Sequence, residues 1–369
     1  MNNEQAKKCK VKAFLEKRGV LLSPKAYFVD AMSAMALGLF ASLLMGTIFG
    51  TVANEIVAKL FGSDNALYEF FAFVKQYGSS ASGAVIGIAV AYSLKAPPLV
   101  LFSAGAIGML GNAHGTEVFI NGAVKSATAG PLGAFICVLV AVEVGKLVSK
   151  TTKVDILVTP AVTLGAGTVV ALLLCPPAAW GMYWLGYFID YATGLYPFFM
   201  GIIISVVVGI VLTLPISSAA LCAMINIGGI AGGAAAVGCC AQMVGFAVIS
   251  FRENRWGGVV AQGLGTSMLQ MGNIVKNPKI WIPPTLAAAI IGPLSTCLFK
   301  LECSGVSAGM GTCGMVGPIG IISDMGLGIQ SGMGILVLCI IAPAVLSLVF
   351  SELLRFIGWI KPDDMKLEL

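Results

Sequence analysis

The run FFMGIIISVVVGIVLTL, residues 198–214, carries no charged side chain. Similar runs recur along the chain, and they limit what it can fold into. About 20 apolar residues suffice to cross the hydrocarbon core of a bilayer as a helix. Once there, every backbone N–H and C=O has to be paired inside the protein, because lipid offers no partner. The pattern predicts spans near 31–58, 79–94, 97–111, 130–148, 156–174, 198–214 and 333–357. Of the 369 residues, 58% are hydrophobic and 11% are charged, whereas a soluble domain carries about 25% charged residues. An all-α polytopic membrane protein with about ten transmembrane helices is expected.

The segments between the spans differ in kind. FGSDNALYEF, 61–70, reads as a polar connector. CPPAAWGMYWLGYFIDYATGLYPF, 175–198, is rich in Trp and Tyr, which favour headgroup level, so it reads as a helix on the membrane surface. From Pro215 onward small residues dominate. PISSAALCAMINIGGIAGGAAAVGCCAQMVGFAVISF suits two short helices or a hairpin. The segment 262–284 is semi-polar at apparent membrane depth. GVSAGMGTCGMVGPIGIISDMG, 305–326, is too rich in glycine for a regular span. Such a segment cannot face lipid, so it is expected to line a cavity or to pack inside protein. Three short echoes, GPLGAFI at 130, GPLSTCLF at 292 and GPIGIIS at 317, leave open an internal repeat or chance.

Charge fixes the expected orientation. Lys and Arg gather at the N-terminus, at Lys146, Lys150 and Lys153, at Arg252 and Arg255, and in the C-terminal tail. All four places are expected to be cytoplasmic. MNNEQAKKCKVKAFLEKRG is too long and too basic for a signal peptide. Residues 1–29 read as an amphipathic cytoplasmic lead-in, 30–358 as the membrane domain and 359–369 as a cytoplasmic tail. The basic residues sit at the ends of apolar runs and form no polar domain, which excludes nucleic acid. Ten cysteines with no CxxC and no Cys/His cluster point to neither metal nor disulfide framework. No P-loop, GxSxG or HExxH is present, so no autonomous enzyme and no cofactor are expected.

Three blocks together carry a resemblance: AVEVGKLVSKTTKVDILVTP (141–160), LTLPISSAAL (212–221) and SFRENRWGGVVAQGLGTSMLQMGNIVKNPKIWIPPTLAAAIIGPLS (250–295). They resemble the bacterial phosphotransferase-system enzyme IIC-like membrane proteins, in the group that includes the perfringolysin regulator-like proteins. The resemblance runs from about residue 30 to 355. It implies an enzyme IIC-like fold with two subdomains, a scaffold and a transport part. It further implies a homodimer, and a sugar held between two helical hairpins that enter the membrane without crossing it. Transport would be by elevator-like movement, with phosphorylation supplied in trans by separate IIA and IIB proteins. Neither soluble domain is expected within this chain. Members have also been treated as regulators, so a solute-binding sensor remains an alternative. An ion-coupled carrier of another polar solute is a third.

A sugar needs many hydrogen-bond donors and acceptors. GNAHGTEVFING, 111–122, holds the one histidine of the chain. His114 and Glu117 are spaced i, i+3, so on a helix they would share a face. They read either as a hydroxyl clamp, with Asn121 nearby, or as an outer loop. Gln262, Thr266, Gln270 and Asn273 recur at helical spacing, beside Ser267. They read as a second sugar-binding stripe or as hydrogen bonds between helices. Gln242 and Thr312 complete the binding set. Ser217 and Ser218 read as a helix N-cap. Arg252, Glu253 and Arg255 form a cytoplasmic turn that is a candidate docking site for a soluble partner. Glu143 and Lys146 are either an ion pair within the membrane or a pair that snorkels to its edge.

Overall fold

The computed structural model describes residues 15, 18–20, 23–120, 123–225, 227–326 and 328–367. Among them, six helices are long and apolar enough to cross a membrane, and four shorter apolar helices accompany these. The chain divides into two compact units. One comprises the residues up to Leu39 and Ala81–Trp180, the other Phe40–Ser80 and Gly181–Leu369.

Helix α1 occupies residues 26–61 and contributes to both units. Three π turns interrupt it, at Ala26–Ala31, Phe40–Leu44 and Val52–Val57. The connector expected after it is instead mostly helix. A short turn leads directly into α2, Ala66–Ser80. Polar Ser63, Asp64 and Asn65 in the turn before it are what a reading by composition takes for a longer loop.

In the first unit α3 (Ser82–Ser93), α4 (Pro98–Ala113) and α5 (Gly130–Val148) pack on one another. The ends of all three agree with the apolar runs to within a few residues. Lys146 does not snorkel. Its side chain is buried, and Nζ donates to Glu143 Oε1 at 3.1 Å and to the Gly19 carbonyl at 3.3 Å. Arg18 Nη1 donates to the Ser149 carbonyl at 3.1 Å. The end of α5 is thereby tied to residues 18–19.

Helix α6, Asp155–Thr193, runs unbroken for 39 residues, with Pro176 and Pro177 inside it. The separate surface helix expected from the aromatic segment is therefore the second half of α6. At 1.5 Å per residue the helix is about 58 Å long, well beyond a core of about 30 Å. Length alone brings the aromatic end to headgroup level. Trp180, Trp184, Tyr187 and Tyr191 are exposed there, spaced as one helical face.

In the second unit α7 (Pro197–Thr213) is followed by the short α8 (Ser218–Met224) and then α9 (Gly229–Ile249). Helices α7, α9, α12 (Pro278–Phe299) and α15 (Ile329–Phe356) form the core. Between α9 and α12 come α10 (Phe251–Val260) and α11 (Met271–Lys276). Between α12 and α15 come α13 (Gly305–Ala308) and α14 (Val316–Met325). Of the three echoes, Gly130 and Gly317 lie at helix starts, whereas Gly292 lies inside α12. Helix α9 is central, and nearly all its residues are buried. Alanine, glycine and cysteine let its neighbours approach to backbone contact, the usual means of packing helices in lipid. The described cysteines form no disulfide with one another, and all but Cys297 are buried.

At the crossing of α7 and α9, a Cβ on Gly238 would stand 2.0 Å from the Ser205 carbonyl oxygen. Gly238→Val has to push the two backbones apart. It should destabilise the second unit by about 1–3 kcal/mol or more. Thermal unfolding of the detergent-purified variant should show a lower midpoint than the parent.

Candidate functional site

The His114/Glu117 pair falls in the first unit. His114 ends α4 with extended backbone, φ −76° and ψ 146°. Its carbonyl accepts from Ala129 N–H at 2.9 Å. Glu117 lies in β1, Gly115–Ile120, which pairs antiparallel with β2, Ala123–Thr128. The two residues therefore share no helical face, and Glu117 is exposed. Glycines next to β-branched residues favour a hairpin here, a period that an i, i+3 reading misses. Asn121 lies outside the described residues.

Gln262, Thr266, Ser267, Gln270 and Asn273 all lie in the second unit and are buried. They share no single helix. A π turn at Ala261–Gly265 and a 3₁₀ turn at Ser267–Gln270 precede α11. Three of them are nonetheless linked in a row. Gln262 Nε2 donates to Ser250 Oγ at 2.8 Å and to the Gly258 carbonyl at 3.1 Å. Gln270 Nε2 donates to Gln262 Oε1 at 2.9 Å, and Asn273 Nδ2 to Gln270 Oε1 at 2.8 Å. The row ends on the chain's own C-terminal segment. Gln270 donates to the Met365 carbonyl and Asn273 to the Lys366 carbonyl, both at 2.9 Å.

A carboxamide has two N–H donors, and in all three residues both are engaged. This arrangement leaves them no free donor for a solute. Thr266 Oγ1 accepts from Met268 N–H at 3.1 Å, and Ser267 Oγ lies 2.8 Å from Thr213 Oγ1. Gln242 is likewise bonded within the protein, to Thr285 Oγ1 at 3.1 Å and from Trp281 Nε1 at 3.2 Å. Thr312 donates to the Gly263 carbonyl at 2.5 Å. Ser217 acts as expected of a cap, accepting from Ala220 N–H at 3.2 Å, while Ser218 donates to the Gly309 carbonyl at 2.6 Å.

The C-terminal segment is docked rather than loose. Asn254 brackets it, donating to the Met365 carbonyl at 2.7 Å and accepting from Leu367 N–H at 2.8 Å. Asn277 donates to Asp364 Oδ2 at 2.7 Å. Ile360 and Met365 are buried against Phe246, Ile249, Ile274 and Ile280. The neighbouring turn divides its charges. Glu253 is buried and paired with Arg355 at 2.9 Å, whereas Arg252 pairs with Glu352 in the open at 3.1 Å. Of the three residues expected to dock a partner, only Arg252 and Arg255 are exposed. Arg255 holds φ 51° and ψ −154°, a region costly for any residue but glycine.

A cleft of about 370 Å³ opens elsewhere in the second unit. One wall is a face of α1: Leu43, Thr47, Gly50 and Asn54. The other is a face of α14: Val316, Ile319, Gly320 and Ser323. Ser217, Ser307 and Met310 contribute from the breaks before α8 and around α13, and Lys75 contributes from α2. Ser42, Gly46 and Gly50 recur every fourth residue on α1. Opposite them Lys75, Gly78 and Ser79 of α2 approach to contact distance. These small residues let α1 and α2 close into a tight helical hairpin. The glycine-rich segment 305–326 thus lines a cavity, one of the two placements its composition allows. Thr47, Asn54, Lys75 and Ser323 were not singled out by sequence. The four-residue repeat of small residues on α1, and the amphipathic spacing of α2, were the available signals. The cleft is of the size that holds small ligands, about 300–1,000 Å³.

A mainly helical chain in which six of the described helices are long and apolar enough to cross a membrane, several of them broken, defines the class, an integral membrane protein. Comparison with protein families gives a more specific result. The family described as Phosphotransferase system, EIIC matches residues 29–367, and the chain belongs to it. Comparison with curated proteins gave no match, and comparison with solved structures gave none. The family makes the chain a membrane component of sugar transport.

Met365→Ala removes a fully buried side chain from the docked segment and should cost about 2–5 kcal/mol. Lys366→Ala should leave stability nearly unchanged, because Asn273 holds the Lys366 carbonyl and not its exposed side chain. Thermal unfolding of both variants in detergent checks the contrast.

Proposed function

We propose that the cleft bounded by α1, α2, α13 and α14 is the solute site of an enzyme IIC-type permease. The observation that carries this reading is the pair of broken-helix walls, one from α1–α2 and one from the glycine-rich 305–326 segment. Hydroxyls of Ser307 and Ser323 face no side-chain partner among the described residues and retain full bonding capacity. The carboxamide row Gln262–Gln270–Asn273 supports the site indirectly by fixing the backbone breaks nearby. Transport proceeds by elevator-like movement of the solute-bearing part. Separate IIA and IIB proteins phosphorylate the solute in trans, and the exposed Arg252 and Arg255 belong to the surface that meets them. The protein works as a homodimer in a bacterial cytoplasmic membrane, with its N-terminus in the cytoplasm. Its membrane domain is 30–358, flanked by the lead-in and the docked tail. A sensor without transport would need the same cleft but no such movement.

Ser307→Trp fills the cleft from the backbone break. Uptake of a transported sugar into vesicles should fall at least about tenfold, as expected when an indole occupies a site of this size. Uptake unchanged in a folded, membrane-inserted Ser307→Trp protein would remove the site from this cleft.

A further inference from the structure

Among the residues lining the cleft, the single charged side chain is a cation, Lys75. Among the described residues no carboxylate lines it. Lys75 is exposed on α2 and has no ion-pair partner among the described residues. Its position is nonetheless constrained. A Cβ at Gly50 would stand 2.4 Å from Lys75 Cδ, so the aliphatic stem lies directly on the Gly50 backbone. Gly50 is itself part of the cleft wall. The stem thus runs along the cleft wall, and Lys75 lines the cleft. The remaining polar lining, Thr47, Asn54, Ser217, Ser307 and Ser323, is neutral.

A neutral sugar would find hydroxyl and amide partners here but would leave the ammonium unanswered. An acidic sugar would answer it with a charge-assisted hydrogen bond, which is about twice as strong as a neutral one. A cleft with apolar walls and one sign of charge also concentrates counter-ions at its mouth. Apolar Leu43, Val306, Val316 and Ile319 supply such walls. We infer that the cleft selects a polyhydroxylated anion, one bearing a carboxylate or phosphate beside free hydroxyls, and that Lys75 is its specificity residue. This rests on the cleft being the solute site. The two acidic groups share the chemistry that Lys75 reads, and separate arms of one experiment tell them apart.

The test is thermal shift on the detergent-purified full chain with gluconate, glucose 6-phosphate, glucose and glucitol, at low and high salt. Lys75→Met keeps a stem of similar length over Gly50 and removes the charge, while Lys75→Arg restores it. One or both anions should stabilise the parent, more so at low salt. Lys75→Met should weaken that anion at least about tenfold, as expected for a lost hydrogen bond to a charged group, and Lys75→Arg should recover it. Gluconate alone points to a sugar acid, and glucose 6-phosphate alone to a phosphorylated solute. Glucose or glucitol binding equally well in parent and Lys75→Met, yet lost in Ser307→Trp, overturns the anion inference and leaves the cleft standing. An anion effect that survives Lys75→Met also overturns it. An anion effect that survives Ser307→Trp places the anion elsewhere and sinks both readings. No stabilisation by any of the four compounds rejects the inference as well.

Discussion

A backbone N–H or C=O left bare in hydrocarbon costs several kcal/mol. The second unit breaks its helices at 261–281 and again at 305–315, and each break exposes such groups. Nearby polar side chains repair the damage. Thr266 takes the Met268 N–H, Asn277 takes the Lys279 N–H, Ser218 reaches the Gly309 carbonyl and Thr312 the Gly263 carbonyl. These polar residues exist because the backbone is irregular. The irregular backbone in turn creates a cavity that a continuous helix bundle would have filled.

The docked C-terminal segment follows from the same constraint. A row of buried carboxamides has more donors than it can satisfy among its own members. Gln270 and Asn273 each retain one N–H once the internal links are made. The carbonyls of Met365 and Lys366 accept them. Met365 and Ile360 add apolar burial, which holds the segment where its carbonyls are needed. Recognition is of backbone, so sequence changes at exposed tail positions leave these bonds intact. The charged stretch 361–367 is consequently polar in composition and held in place by these bonds.

Much of the fold was legible because lipid imposes one simple rule on length and composition. The runs at 130–148 and 198–214 mark α5 and α7 nearly to the residue, and the glycine count of 305–326 foretold an irregular segment. Reading failed where a local pattern had two solutions of similar merit. The Trp- and Tyr-rich stretch 175–198 read as a separate surface helix, yet the helix that starts at Asp155 continues through Pro176 and Pro177 to Thr193. The stretch 61–70 looked like loop because its polar residues Ser63, Asp64 and Asn65 fill only the short turn before α2. His114 and Glu117 satisfied a helical spacing, but the chain around them pairs as strands. Gln262, Gln270 and Asn273 were grouped by a helical period, yet they lie on three successive short elements and are joined by side-chain hydrogen bonds. Their partners, however, lie about 90 residues away in the tail, and no local pattern encodes that.

The proposed site rests on bonding capacity rather than on polarity. A group that binds and releases a solute must exchange its hydrogen bonds with water between cycles. A group whose donors are all held by protein cannot do so without breaking structure, at a cost of about 1–3 kcal/mol for each buried group left unmet. Gln262, Gln270 and Asn273 belong to the second kind. On the proposed reading Ser307, Ser323 and Lys75 belong to the first, since they line the cleft. Burial and polarity alone would rank the carboxamides higher. Counting each donor against its acceptor reverses that ranking, and it directs attention to the hairpin of α1 and α2, where small residues every fourth position let Lys75 lie across the wall of the cleft.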